Sequence, residues 1–135
     1  MNAIDTNVLV RLLVADDMRQ AQQAAELIDS GQAFFVPITV VLELEWILRG
    51  FYKLKPLEVQ KSLEGLLSIR TLHFESESRV QRAVQGLADG FDFADLLHHL
   101  AADGCDVFYS FDRKLSSRMA RMGRLPPVLK PGQAP

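Results

Sequence analysis

The amino-acid sequence predicts an α/β fold, a three-layer α/β/α sandwich with a mainly parallel central sheet. Short apolar runs alternate along the chain with longer segments of helical periodicity, which is the pattern of successive β–α–β units. The runs are continuous rather than alternating, as expected for strands buried on both faces of a parallel sheet. Because 135 residues is the usual size of one domain, we expect a single domain over residues 1–130 and a loose tail over 131–135.

Five apolar runs are candidates for the buried strands. They lie at residues 3–4, 33–36, 69–74, 107–109 and 128–129. Runs of this length are too short to cross a bilayer, and the first residues lack the basic and then apolar pattern of a signal peptide. We therefore expect a protein of the cytoplasm.

The segments between these runs have the spacing of amphipathic helices. Helices are expected at residues 18–30, 57–67, 79–87 and 93–102, after Pro37, and from Arg113 onward. The first of them stops at Gly31, a residue type common at helix ends. The segment 57–67 follows Pro56, and proline is favoured at helix starts.

The net charge of −2 conceals an uneven distribution of charge. All 17 acidic residues lie at or before Asp112. The charged residues that follow are all basic, namely Arg113, Lys114, Arg118, Arg121, Arg124 and Lys130. This segment is either a solvated helix face or a surface that contacts phosphates, and the charge alone leaves both interpretations open.

The cysteine and histidine residues do not form a zinc motif, since no CxxC or HExxH spacing occurs. The single cysteine, Cys105, cannot form an internal disulfide, and we expect its thiol to be packed. His98 follows Asp95 by three residues and would share its helix face. A mixed Asp/His metal site at this point is therefore an open alternative.

Two acidic residues come directly after predicted strands. Asp5 follows the first strand, and Asp112 follows the strand at 107–109. In parallel α/β sheets, ligands bind outside the carboxyl ends of the strands, so this position favours a functional role. Either residue could instead cap the helix that follows it by accepting backbone N–H bonds.

Two glutamates interrupt the apolar helix expected after Pro37. Glu43 and Glu45 are two residues apart, which on a helix means roughly 200° apart, so at most one of them shares the face that meets the sheet. We expect Glu43 to face inward, because residues 40–42 precede it and further apolar residues flank it. We expect Glu45 to face solvent or to pair with Arg49 at i+4. An inward glutamate requires a compensating cation, either an arginine or a metal.

The helix expected at 93–102 begins with two more acidic residues. Asp92 lies before the helix and is typical of an N-cap, and Asp95 lies in the first turn, where the helix dipole favours an acid. The neighbours of Asp95 are apolar, which indicates that this helix start is packed. A purely capping role therefore explains Asp95 less well than it explains Asp92.

These acidic positions have one explanation in common, which is a shared metal site. Two carboxylates 4 Å apart repel each other by about 4 kcal/mol at an effective dielectric constant of about 20, so a cluster of four requires a cation. Carboxylate oxygens favour Mg²⁺ or Mn²⁺ over zinc. Such an ion activates water and neutralises charge on a phosphoryl oxygen, so the hydrolysis of a phosphodiester is the natural chemistry.

Four sequence segments together resemble a known family. In order along nearly the whole chain they are DTNVLV, VLELEWIL, DFADLLH and SFDRKL. They are similar to the PIN domain family and, within it, to the VapC-type toxins of bacterial toxin–antitoxin modules. The resemblance implies a Mg²⁺- or Mn²⁺-dependent endoribonuclease whose catalytic and metal-binding acids are Asp5, Glu43, Asp95 and Asp112.

The resemblance also implies supporting groups and partners. Thr6 or Asn7, beside the first acid, and Ser110, where the family commonly has threonine, would be supporting polar groups. Asp92 is similar to an additional acid of many relatives. The implied partners are an RNA substrate, a second copy of the chain in a homodimer, and a cognate VapB-type antitoxin that covers the active-site groove.

On this hypothesis, basic residues hold the phosphates that flank the cleaved bond, and the candidates are Arg113, Lys114 and Arg49. Three alternatives are left open: a PIN nuclease of routine RNA processing, a haloacid-dehalogenase-like phosphatase, and a non-catalytic dimer that binds RNA or an antitoxin. The phosphatases typically carry a second aspartate where this chain has Asn7. The non-catalytic dimer would require a broken acid set, whereas all four acids are present.

Overall fold

The structure, a computed structural model, describes all 135 residues. They form two compact units, Met1–Phe93 and Ala94–Pro135, each of which combines helices with parallel strands. The predicted α/β class and the parallel pairing are therefore confirmed. The hydrogen-bonded strands form two sheets, one in each unit. The single domain over residues 1–130 stays a prediction.

Unit 1 contains a three-stranded parallel sheet. Its strands, in spatial order, are β1 (Asn2–Ala3), β2 (Phe34–Val36) and β3 (Leu72–Phe74). Phe34 and Val36 of the central strand are buried, as the apolar runs predict. The third strand begins later than expected because Leu72 donates its N–H to the carbonyl of Ile69 at 3.1 Å, which makes a turn of residues 69–72.

Five helices and one π-helical turn complete unit 1. They are α1 (Thr6–Leu13), α2 (Met18–Ile28), α3 (Ile38–Trp46), the π-helical turn Ile47–Phe51, α4 (Pro56–Leu67) and α5 (Glu77–Gly86). Helix α1 packs on α2 and α3, and α4 packs on α5 and β3. Asp17 caps α2 by accepting the N–H of Gln20 at 3.0 Å. Gly31, with φ of 81°, takes the left-handed conformation just beyond α2, as its position predicts.

Unit 2 contains a two-stranded parallel sheet and the basic helix. Its elements are α6 (Phe93–Ala101, whose first residue closes unit 1), β4 (Phe108–Tyr109), α7 (Arg113–Arg121) and β5 (Val128–Leu129). His99 of α6 is buried, with Nε2 2.8 Å from the carbonyl oxygen of Pro126. Its ring meets Phe108 edge to face, with centroids 5.6 Å apart. His99 is therefore a core residue of this unit.

Two sequence-based expectations outside the acid set can be compared with the structure. Cys105 is exposed, so the expectation of a packed thiol is wrong. It lies in the turn between α6 and β4, where its N–H donates to the carbonyl of Ala102 at 3.0 Å. None of the helices combines the length and the apolar character that a membrane-spanning helix needs.

Candidate active site

Asp5 occupies the connection between β1 and α1. The N–H of Ile4 donates to the carbonyl of Phe35 at 3.0 Å, which fixes the end of the first strand against β2. Asp5 then caps α1, with Oδ1 accepting the N–H of Thr6 at 2.8 Å. Oδ2 has no hydrogen-bond partner in the protein, and the residue is exposed. The carboxylate therefore caps the helix and leaves its second oxygen in solvent, and its catalytic role stays a prediction.

The two glutamates of α3 are placed opposite to the prediction. Glu43 is exposed, whereas Glu45 is 2 % exposed, so the expectation that Glu43 faces inward and Glu45 faces solvent is wrong. The alternative pairing of Glu45 with Arg49 is confirmed, since Nε and Nη2 of Arg49 donate to the carboxylate at 2.9 and 3.3 Å. The reason is helical phase: the buried residues Val41, Leu44 and Leu48 are spaced i, i+3 and i+7, and Glu45 completes that stripe at i+4.

The ion pair of Glu45 also explains how a carboxylate is tolerated inside unit 1. Two charge-assisted hydrogen bonds satisfy the buried group. The hydrogen bond to Glu45 raises the pKa of the Arg49 guanidinium, and the charge of Asp92 adds to this effect. The guanidinium therefore stays protonated. Arg49, a predicted phosphate contact, already has a partner through two of its nitrogens, and its phosphate role stays a prediction.

Asp5 and Glu43 meet at one open cavity of about 350 Å³ in unit 1. Two of the predicted supporting residues, Thr6 and Asn7, line the same cavity. Thr6 is only 3 % exposed, and its hydroxyl Oγ1 has no hydrogen-bond partner. A buried hydroxyl without a partner is destabilising, and this one belongs to the residue directly after Asp5.

Arg11 and Tyr52 form a second wall of this cavity and are held by Asp16. Arg11 Nη1 lies 2.7 Å from Asp16 Oδ1, and the Tyr52 hydroxyl donates to Asp16 Oδ2 at 2.7 Å. The Tyr52 hydrogen bond lowers the pKa of the Asp16 carboxyl below its usual value. The same bond raises the pKa of the Tyr52 hydroxyl, which therefore remains a donor at neutral pH. The network fixes this wall with its charges largely balanced.

Asp112 occupies in unit 2 the kind of position that Asp5 has in unit 1. It follows β4 and caps α7, with Oδ1 accepting the N–H of Leu115 at 3.1 Å. The N–H of Asp112 itself donates to Oγ of Ser110 at 3.0 Å, so the predicted supporting hydroxyl orients the acid through its backbone. Ser110, Asp112 and Arg113 line one cavity of about 340 Å³ within unit 2.

The remaining predicted acids lie around the start of α6. Asp92 precedes the helix and is exposed, and Asp95 lies in the first turn and is half-buried. His98, the alternative metal ligand, is exposed. Within neither unit do three or more His, Cys, Asp or Glu side chains form a cluster ready to bind a metal. The joint action of Asp5, Glu43, Asp95 and Asp112 at one metal centre therefore stays a prediction.

The oxygen atoms of the unit 1 cavity nevertheless fit a hard divalent cation. Oδ2 of Asp5 and the exposed carboxylate of Glu43 belong to no ion pair. A set made only of oxygen donors favours Mg²⁺ or Mn²⁺ rather than zinc.

Comparison with known families identifies the chain. Residues 3–121 match the PIN domain, which covers most of the chain and parts of both units. The chain belongs to the PIN domain family. No curated protein matches it at a significant level. PIN domains are generally nucleases, and therefore hydrolases, and they generally use divalent metal ions. Membership of this family removes the haloacid-dehalogenase-like alternative.

Four large polar or aromatic residues at the cavity of this PIN domain are absent from the sequence-based prediction. They are Arg11, Trp46, Phe51 and Tyr52. Trp46 follows Glu43 by three residues and therefore shares its helix face, so the sequence did contain a signal for it. The sequence offers no such signal for Phe51, because its side depends on the π-helical turn.

Proposed function

We propose that this PIN domain is a Mg²⁺- or Mn²⁺-dependent endoribonuclease and acts in the cytoplasm as the toxin of a toxin–antitoxin pair. The observation that carries the proposal is the unit 1 cavity, which Asp5 and Glu43 line together with Thr6 and Asn7. The nuclease activity follows from the family. The choice of RNA and the toxin role rest on the resemblance of the four sequence segments to VapC-type toxins.

The four acids would hold the metal, and the protein controls how they do so. Asp5 and Asp112 each accept a backbone N–H of the first turn of a helix with one carboxylate oxygen. This hydrogen bond fixes the direction of the other oxygen. Asp95 and Glu43 would complete the set, as the resemblance implies. When bound, the ion supplies Lewis-acid stabilisation of the phosphoryl oxygen and lowers the pKa of a water molecule.

Basic residues of unit 2 support binding of the phosphodiester backbone. Arg113, Lys114, Ser117, Arg118 and Arg121 line a groove of about 310 Å³ along α7, and no acidic residue lines it. The groove shares Arg113 and Ser117 with the cavity that contains Asp112, so the two are adjacent. Phosphates are held chiefly by Lys and Arg. We infer that the RNA backbone follows this groove on one side of the cleaved bond.

The partners in this proposal are those of the resembled toxins. A VapB-type antitoxin would cover the active-site groove, and two copies of the chain would form a homodimer. A nuclease of routine RNA processing is the second candidate, and it differs in partner rather than in chemistry. A non-catalytic binding module is the third candidate. The presence of both Asp5 and Glu43 at one cavity argues against it.

Removal of the divalent metal tests the proposed chemistry. We expect the purified protein to cleave single-stranded RNA in Mg²⁺ or Mn²⁺, to lose this activity in EDTA, and to regain it when Mn²⁺ is restored, because the ion would lower the pKa of water and offset the charge on the phosphoryl oxygen. Gel analysis of a labelled RNA measures this. Equal cleavage in EDTA would contradict the proposal.

Calorimetry with Mn²⁺ on the wild type and on Asp95→Asn separates an enzyme from a binding module. A mere binding module should show no Mn²⁺ binding that depends on the carboxylates.

Neutralising the basic groove should weaken RNA binding and its dependence on salt. For single strands each phosphate contact contributes about −0.7 to the slope of log K against log salt, so the combined change of Arg113, Lys114 and Arg121 to glutamine should flatten the slope by about 2. Fluorescence anisotropy of labelled RNA at several KCl concentrations, without divalent metal, measures it. The matched control changes three exposed cations of unit 1, Lys61, Arg70 and Arg82, to glutamine. Equal slopes in both variants would show that the contacts lie elsewhere.

A further inference from the structure

Large aromatic side chains are exposed at the cavity that contains Asp5 and Glu43. Trp46 is 59 % exposed and Phe51 is 70 % exposed, and both line this cavity. Together they are called the aromatic ledge. Aromatic side chains left in water beside polar functional groups usually mark a binding surface rather than a defect of packing. The metal chemistry proposed above gives the aromatic ledge no role.

The π-helical turn explains why these two side chains share a side. Glu43 and Trp46 of α3 and Ile47 at the start of the π-helical turn are spaced i, i+3 and i+4, so all three face the cavity. Continued α-helix would place Phe51 about 140° around the axis from Trp46. In the wider turn the N–H of Tyr52 donates to the carbonyl of Ile47 at 3.1 Å, an i→i+5 bond, which brings residues five apart onto one side. Such turns are frequent at functional sites.

The aromatic ledge is supported from beneath. Trp46 lies against Gly50, where an added Cβ would be 3.4 Å from the indole Cε2. Phe51 meets Tyr52 edge to face with centroids 4.9 Å apart. Tyr52 in turn is anchored through its hydroxyl to Asp16. Both exposed rings therefore rest against restrained neighbours. The two side chains would lose little conformational entropy when a ligand binds.

We propose that Trp46 and Phe51 of the aromatic ledge stack on the base of a nucleotide next to the cleaved phosphate of a single-stranded RNA. The proposal rests on the proposed function. Aromatic side chains bind nucleic acid by stacking, and only unpaired bases offer a free face. A cavity of about 350 Å³ is at the small end for ligand sites and suits one nucleotide.

The charges of the cavity favour a nucleotide over a purely apolar protein face on the aromatic ledge. An apolar protein face seated on Trp46 and Phe51 would remove water from the carboxylates of Asp5 and Glu43 and offer them nothing in return. A base stacked on the rings leaves those carboxylates in contact with water, and a bound divalent cation would link them to the neighbouring phosphate. The apolar ledge and the acidic wall therefore suit the two ends of one ligand.

The unique tryptophan makes stacking directly measurable. Trp46 is the only tryptophan of the chain, so its fluorescence reports on the aromatic ledge alone. In EDTA and low salt, a single-stranded RNA oligonucleotide should quench this fluorescence, and a duplex of the same sequence should quench it little. Phe51→Ala should weaken the single-strand affinity by between about fivefold and a hundredfold, the usual range for one stacked base. Leu57→Ala, a change at another exposed apolar side chain on α4, should leave it unchanged.

Variants of Trp46 itself separate stacking from structure. By anisotropy of labelled RNA, Trp46→Phe should keep most of the affinity, and Trp46→Ala should lose as much as Phe51→Ala. Equal quenching by duplex would overturn the proposal. So would unchanged RNA affinity in Phe51→Ala and Trp46→Ala, or a change only in their sedimentation, which would assign the ledge to contact between proteins. If cleavage persists in these cases, the proposed nuclease function stands and the stacking proposal fails. If single-stranded RNA quenches selectively but no cleavage occurs, the stacking proposal stands and the nuclease function fails.

Discussion

Replacing Asp5 with asparagine should lower metal-dependent RNA cleavage by about 100- to 1000-fold and leave the fold intact. A catalytic metal contributes several kcal/mol to the stabilisation of the transition state, and each 1.4 kcal/mol is a factor of ten in rate. The variant loses the charge of Oδ2 but keeps Oδ1, which caps α1. Because asparagine caps helices about as well as aspartate, the free energy of unfolding should change by less than about 0.5 kcal/mol.

The chain provides a matched control for this substitution. Asp17 caps α2 in the same manner, through Oδ1, and does not line the cavity. Asp17→Asn should therefore match Asp5→Asn in thermal stability and match the wild type in the rate of RNA cleavage in Mn²⁺. Initial rates and unfolding curves on the three proteins measure both quantities. If Asp5→Asn retained full cleavage, Asp5 would have only its capping role, and the proposed site would lose its first ligand.

The comparison of sequence with structure shows what a strand end encodes. Asp5 and Asp112 were predicted at the carboxyl ends of strands and lie there, because a short apolar run followed by an acid leaves few other arrangements. Local sequence also marked both as candidate helix caps, and both are caps. Capping does not exclude metal binding, because a carboxylate has two oxygens and the cap uses only one of them. The functional reading of these acids stays a proposal.

The sequence does not predict as clearly which face of α3 is buried. Its apolar residues occupy most of the circumference, so the sequence indicates a buried face only weakly. Val41, Leu44 and Leu48 form the buried face of the helix, and Glu45 lies on the same face. The signal for this choice was the arginine at i+4, since a buried glutamate needs a partner and Glu43 has no cation at that spacing.

Removing the partner of Glu45 should be strongly destabilising. Arg49→Ala would leave a carboxylate that is 2 % exposed without its two hydrogen bonds, and breaking a buried pair costs about 3–5 kcal/mol. The Arg49 side chain is 47 % exposed, so water can reach part of the site, and we expect the lower end, about 3 kcal/mol. Urea unfolding followed by circular dichroism measures the change in the free energy of unfolding.

Two further variants show whether the orphaned charge is the cause of this loss. Arg70→Ala, at an exposed arginine of the same unit, should change the free energy of unfolding by less than about 0.5 kcal/mol. Adding Glu45→Met to Arg49→Ala should recover a large part of the loss, because an apolar side chain of similar size no longer requires a partner. No recovery would mean that Arg49 acts through its packing. Since Arg49 lies in the π-helical turn, that result would make the turn itself, and with it the side on which Phe51 lies, depend on the arginine stem rather than on the ion pair.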